Sequence, residues 1–352
     1  MYSNLEQNNE IGIAPKTEKN SFLTFMSGIF GSSKEDRTVH PFRVLVNKEI
    51  SDHVRSWRFI ILILIISLTC LGSLYTALSN IGIASKANSP EGSFFFLKLF
   101  TISDGSMPSF IVFISFLGPL LGISLGFDAV NSEHNRGTLS RVLSQPIPRD
   151  YLLNAKFLAA LSVISRIFFV LGFLFVGFGL IIIGIPPTPQ EFLRIIFFIL
   201  LSIIYVGFWL NLSIFFSVQF RQPATSALAG IAVWLFFSVF YEIIVNLVAK
   251  AINPGVLAPE SKIISAKSII LGLLRLMPNQ LFSDATTTLL MPTVRTLGPL
   301  SMEQIYGTVP GPLPLGQSLM LVWAQVTGLI AASIVCFVLS YIPFMRREIR
   351  SR

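Results

Sequence analysis

Histidine, cysteine and charge are scarce in this 352-residue sequence, and each shortage removes a class of function. The three histidines, His40, His53 and His134, include no H-E-x-x-H pair, and Glu133-His134 lacks a second histidine at helical spacing. Proteolysis or lipid chemistry inside a membrane would want such a metal pair, or a serine with a nearby base, and all three histidines are expected at the cytoplasmic edge. The two cysteines, Cys70 and Cys336, both sit in apolar runs, which argues against a disulfide framework, a zinc site or a redox pair. No G-x-x-x-x-G-K-[ST] string occurs, and the nearest approach, Gly31-Ser32-Ser33-Lys34, lacks both the spacing and a preceding strand. ATP hydrolysis by this chain alone is therefore not expected. Only 12% of residues are charged, against about 25% in soluble domains, while 53% are hydrophobic.

What the sequence has in excess is long apolar runs. A bilayer core needs about 20 apolar residues per helix, and six runs qualify: Trp57 to Leu78, Pro108 to Phe127, Leu161 to Ile185, Arg194 to Val218, Ala224 to Val248 and Ser318 to Phe344. Backbone groups there have no water to bond, so helix is the assignment that satisfies them. The fold class expected is all-α, a polytopic membrane protein with six transmembrane helices. The first run starts too far in for a cleaved signal peptide, so it is expected to be retained. Residues 1–40, rich in Asn, Ser, Lys and Glu, read as a poorly ordered cytoplasmic leader, and 41–352 as the transmembrane domain.

The net charge of +8 comes from 26 Lys and Arg against 18 Asp and Glu. In so apolar a chain it points to basic cytoplasmic loops, not to nucleic acid. Arg43, Lys48, Arg55 and Arg58 precede the first run, and Arg136, Arg141, Arg149 and Lys156 follow the second. Arg221 follows the fourth, and Arg346, Arg347, Arg350 and Arg352 follow the sixth. The opposite short loops offer Lys86 and Lys98, with Arg194 at a border. Both termini are expected in the cytoplasm, in a cell (inner) membrane.

Before the first run, Phe42, Leu45, Val46, Ile50 and Val54 fall near helical spacing with charges between them, which predicts an interfacial helix at the inner surface. After the second lies Asp128 to Lys156, DAVNSEHNRGTLSRVLSQPIPRDYLLNAK. Gly137 permits a sharp turn, Thr138 can cap a short helix through Leu139, Arg141, Val142 and Leu143, and Pro146 and Pro148 end it. Asp150 can cap the helix that follows. The result is a rigid elbow with a basic and apolar knob, built to transmit a push.

Glu133, Gly137-Thr138-Leu139, Leu143-Ser144, Pro146-Ile147, Arg149 and Lys156 together resemble the signature of ABC type-2 permeases, also called type V exporter membrane subunits. Met277-Pro278-Asn279 with Leu281-Phe282, and the basic Arg346-Arg347-Glu348, extend the resemblance over nearly the whole chain from Pro41. It implies that 128–156 contains a coupling helix docking into a groove on a separate ABC ATPase subunit, which would carry the ATP and Mg. Glu133, Arg136 and Arg141 would meet charges on that subunit, and Leu139, Val142 and Leu143 would fill its groove. It also implies a dimer with a second permease copy or close relative, and no cofactor in this chain.

Within the outer loop 249–317, Ile263 to Leu276 and Leu281 to Leu290 are each too short to span, so re-entrant helices and a globular cap both remain open. Ionisable and polar groups inside spans are candidate functional positions by default; here they are Arg166, Glu242 and Asn246, candidates for a translocation path. With 32 Phe against 4 Trp and 7 Tyr, the spans show no regular polar face, which suits an amphiphile, lipid or peptide cargo better than an aqueous ion pore. Export is the expected direction. An intramembrane enzyme and a non-transporting anchor or regulator of an ATPase are the alternatives.

Overall fold

The computed structural model describes residues 40–84, 94–103, 107–137, 148–184, 186–252, 259–294, 296–297 and 311–346. Every regular element among them is helical: α1 (Pro41–Val54), α2 (Trp57–Ala84), α3 (Phe95–Thr101), α4 (Phe110–Gly126), α5 (Asn131–Asn135) and α6 (Arg149–Ile183). These are followed by α7 (Pro189–Gln219), α8 (Pro223–Leu235), a π-helical turn (Phe236–Phe240), α9 (Tyr241–Ile252), α10 (Glu260–Leu274), α11 (Pro278–Leu290) and α12 (Leu315–Arg346). Six stretches are long and apolar enough to cross a membrane, and they coincide with the six runs read from the sequence. In order, the spans are α2, α4 with α5, α6, α7, α8 through α9, and α12.

α7, the fourth span, is the axis. In its most apolar stretch 72% of residues are buried, against 17% in the fifth and sixth spans, and α4, α6, α8, α11 and α12 all pack on it. It starts at a capping box: Thr188 Oγ1 accepts from the Glu191 N–H and Glu191 Oε2 accepts from the Thr188 N–H, with Pro189 in the first helical position. Glu191 Oε1 also accepts from the N–H of Phe96, which ties α3 to the same end.

Close approach of α4 to α7 follows from Gly118, Gly122 and Gly126, one turn apart on one side of α4. A Cβ on Gly122 would lie 2.7 Å from the Val206 carbonyl oxygen and 2.9 Å from the Leu210 nitrogen, so backbone meets backbone there. Without a hydrophobic force between helices in lipid, small residues set such contacts. Gly122→Val is expected to lower stability by about 1–3 kcal/mol through forced separation of α4 and α7, read as a fall in Tm of the purified protein.

The polar groups of α7 point to different neighbours, not along one face. Asn211 Nδ2 donates to Ser333 Oγ of α12 at 2.7 Å, and Ser213 Oγ donates to the Ile123 carbonyl of α4 at 3.0 Å. Ser217 Oγ accepts from the N–H groups of Val130 and Asn131, at 2.9 and 3.3 Å. Asn211 thus joins the fourth span to the sixth, and Ser213 and Ser217 join it to the second, so the polar groups are divided between neighbours and form no single stripe.

α10 and α11 form a hairpin in which α11 enters the bundle. Its first turn meets the middle of α7, where Phe282 stacks on Tyr205 with ring centroids 4.4 Å apart. Its last turn meets Arg194, near the start of α7. Met277-Pro278-Asn279 is the tip: Pro278 opens the helix, and Asn279 places Oδ1 2.5 Å from the Tyr205 hydroxyl while Nδ2 donates to Ser238 Oγ in the π-helical turn. The Tyr205 hydroxyl also faces the Ser115 carbonyl at 2.9 Å, so one polar knot joins α4, α7, α11 and the fifth span.

Candidate functional site

α6 has 35 residues, about 52 Å at 1.5 Å per residue. That exceeds the bilayer's hydrocarbon core of about 30 Å, so α6 projects beyond it. Pro148 precedes its first turn, and Asp150 lies inside that turn as a favourable N-terminal acid; no side chain caps the helix. α1 packs along this first part of α6. Phe42 meets Tyr151 edge-to-face at 5.4 Å, and Glu49 meets Lys156, so the two helices advance in the same direction. The apolar residues expected to face a membrane surface are thus partly given to α6: Phe42, Leu45, Val46 and Ile50 are half-buried, while Val54 stays exposed.

Between α1, α5 and α6 lies a cluster of ions. Lys156 is 4% exposed, and its Nζ donates to Glu49 Oε2 at 3.0 Å and to Glu133 Oε1 at 2.8 Å. Lys48 reaches Glu49 Oε1 at 3.0 Å, Asp52 at 3.4 Å and Glu133 at 3.8 Å. Beside it, Arg58 at the start of the first span pairs with Asp128 at 2.6 Å and lies over the Phe127 ring. Asn135 Nδ2 donates to the Arg221 carbonyl, tying α5 to the turn before α8. Four spans are therefore connected through charged or polar groups at one end.

The cluster fixes the charge states around it. Burial pushes the Glu49 carboxyl up, but Lys156 and Lys48 outweigh it and hold the group below its ordinary value of 4.5. Lys48 is raised above 10.5 because Glu49, Glu133 and Asp52 together outweigh its own burial. The nearby His53 goes the other way: burial pushes it below 6.5, and Lys156 adds to that against the opposing pull of Glu49, Asp128 and Asp52. A histidine held neutral in the fold costs nothing above 6.5 and destabilises as pH falls below it, by up to about 1.4 kcal/mol per pH unit until its folded-state pKa is reached. Tm is expected to drop between pH 7 and 5, and His53→Gln should remove that part of the drop.

Of the residues the sequence marks for coupling, the structure places three. Glu133 is turned inward onto Lys156, Arg136 is exposed, and Gly137 makes a left-handed turn at φ 67°, which only glycine adopts freely. Thr138, Leu139, Arg141, Val142 and Leu143 lie outside the described residues. Arg166 is exposed on α6, and Glu242 and Asn246 are exposed one turn apart on α9. Asn246 lines a cleft against α10. Glu49 was not legible as a site residue, because nothing in the spacing of α1 says which cation its carboxylate will meet. The Glu133–Lys156 pair left a fainter trace: opposite charges flanking one helical hairpin, both inside the same motif.

Six apolar spans around a buried axis, with a charged cluster bracing one end, define a multi-pass membrane protein. The chain belongs to the ABC-2 family of transporter proteins, which it matches over residues 43–349. It is similar to the probable ABC transporter permease protein NosY of Pseudomonas aeruginosa, 25% identical over 227 residues, covering 61% of this chain and 73% of the relative. The protein of the same name from Stutzerimonas stutzeri is 24% identical over 223 residues, with the same coverage. The chain is thus a membrane permease component of an ABC transporter, and membership of that family implies an ATPase partner.

Proposed function

We propose that this permease couples ATP hydrolysis on a separate subunit to export across the membrane, and that the coupling runs through the 128–156 elbow. The observation that carries this reading is the buried Glu49–Lys156–Glu133 cluster. It makes α1, the end of the second span and the start of the third a single braced body, so a push on the elbow moves three elements together and is not absorbed in side-chain freedom. Gly137 turns the chain out of that body toward the docking segment. Glu133 then acts by positioning, and Arg136, exposed beyond it, faces the ATPase together with Arg141. Leu139, Val142 and Leu143 fill the groove on that subunit.

Two copies would form the pathway, with both termini in the cytoplasm on the basic side of a cell membrane. Glu242, exposed on a single chain, would then face the partner copy or the cargo, and Arg166 would do so from α6, while Asn246 lies in the cleft against α10. The α10–α11 hairpin would re-enter from the outer side, its tip at mid-depth beside Tyr205 and the π-helical turn, where a change of helical register can act as a hinge. Export is favoured by the exposed apolar faces of the fifth and sixth spans, which give an amphiphilic cargo access from the membrane. The ATP and Mg belong to the partner.

The test is affinity purification of the tagged chain in mild detergent. An ABC ATPase is expected to co-purify with wild type and to be lost, by more than about tenfold, with Gly137→Pro/Leu143→Asp while the variant remains folded and inserted. An ATPase retained by that variant would remove the elbow as the coupling site. No ATPase with an intact wild-type preparation would remove the coupling reading itself.

A further inference from the structure

The fifth span ends against α10 in a cleft of about 470 Å³, which the coupling mechanism does not use. α9 offers it Asn246, Ala249 and Lys250, and α10 offers Ile263, Ala266 and Lys267. Each set lies on one helical face, because the spacings are three and four residues. The two helices run antiparallel, since Tyr241 at the other end of α9 donates to the Leu273 carbonyl at 3.0 Å. Alanine at the centre of both faces leaves the gap open, and lysine beside each alanine makes it cationic. Among the described residues neither lysine is ion-paired with a carboxylate. Two cations thus face one space, and among the described residues no carboxylate pairs with either.

We infer that this cleft holds the headgroup of an anionic phospholipid, its phosphate taken by Lys250, Lys267 and the Asn246 amide. Depth selects a lipid over a soluble phosphate compound. Lys250 is twelve residues beyond Ser238, the mid-span contact of Asn279, or about 18 Å along the helix, close to half the thickness of a hydrocarbon core of about 30 Å. The cations therefore stand at headgroup level. Below them the wall turns apolar: Ile270 lines the cleft, and Ile243 and Leu247 are exposed on α9, where an acyl chain lies. A zwitterionic headgroup brings its own ammonium, which two lysines repel, so net negative charge is selected. An occupied cleft also cancels the lysine–lysine repulsion and holds α10 on α9. This inference rests on the chain's being a membrane protein and is independent of ATPase coupling.

The experiment titrates the full-length protein in mild detergent with phosphatidylglycerol or phosphatidylcholine of identical acyl chains, counting bound lipid by native mass spectrometry and following Tm. Phosphatidylglycerol is expected to bind tighter and raise Tm. Each lysine changed to glutamine should weaken it by about fivefold, and Lys250→Gln/Lys267→Gln together by about thirtyfold, with phosphatidylcholine binding unchanged. Ala249→Leu keeps both charges and fills the gap, so it should weaken phosphatidylglycerol as well; it and the single lysine variants decide the matter if the double variant fails to fold. Equal binding of the two lipids by wild type, or unchanged phosphatidylglycerol affinity in the folded variants, would overturn the inference. So would inorganic phosphate alone raising Tm as much as phosphatidylglycerol does, which would assign the cleft to a free anion.

Discussion

Lys156→Met is expected to destabilise the protein by about 3–5 kcal/mol, the range measured when one partner is removed from a buried ion pair. Methionine keeps the length of the side chain but takes from Glu49 and Glu133 the buried cation they share, and Lys48, which also reaches both, is half-exposed. The loss is one of charge balance more than of packing. The triple variant Lys156→Met/Glu49→Gln/Glu133→Gln should therefore recover most of the Tm, because no uncompensated charge remains. Its behaviour separates two roles of the cluster. If transport returns along with stability, the cluster serves the fold; if stability returns and transport does not, the charges themselves are needed for coupling. The pH dependence provides a second check. Glu49 has a depressed pKa, so its contribution is complete above 4.5 and is lost as pH falls through the lower folded-state value; that of Lys48, raised above 10.5, is complete below 10.5 and lost above it. The penalty of Lys156→Met should shrink as pH falls, because Glu49 without its main cation and His53 without the neighbouring Lys156 both take up protons more readily.

Arg194→Leu should cost a similar amount, about 3–5 kcal/mol, and undock α11. Arg194 is fully buried, and its guanidinium serves three acceptors on three segments: Nη1 donates to the Leu289 carbonyl at 2.8 Å and to Ser318 Oγ at 3.1 Å, and Nη2 to the Leu313 carbonyl at 2.6 Å. Neutral interhelical bonds in membranes average only about 0.6 kcal/mol. Here the donor is charged, and one of its acceptors, the Leu289 carbonyl, lies in the last turn of α11, where the helix dipole favours a cation. Arg194→Lys should restore little, because an ammonium cannot spread over the positions that a planar fork reaches. The readout is Tm together with protease sensitivity of the 278–290 segment, which should rise in both variants.

Arg194 also shows how far the sequence could be read. Its apolar run was plain, since length and hydropathy are summed over many residues and tolerate local error; all six spans lie close to their expected places. As a border cation in that run it looked like an orientation marker. Its real acceptors lie in α11, in the segment before α12 and in α12 itself, and no local pattern links them. Gly118, Gly122 and Gly126 were legible as a spacing, although which helix they admit depends on the tertiary arrangement. The short α3 hides in a run of phenylalanines too brief to span. For the elbow, residue types announced a turn and a rigid connection, but the inward direction of Glu133 required α1, whose Glu49 meets Lys156 from more than a hundred residues away in sequence.

The burial of α7 has a consequence for how the protein is made. Spans leave the ribosome in order, and the fourth must enter the membrane when only the first three are there to receive it. The side of α7 that packs on α11 and α12, with Arg194 and Asn211 upon it, then faces lipid or the insertion machinery until the last span is synthesised. A nascent chain cut short before Leu315 keeps a bare Asn211 amide in the bilayer and a guanidinium without its Ser318 acceptor. Such a product is a ready substrate for membrane quality control, so nonsense or frameshift lesions late in the coding sequence should leave little trace of truncated protein.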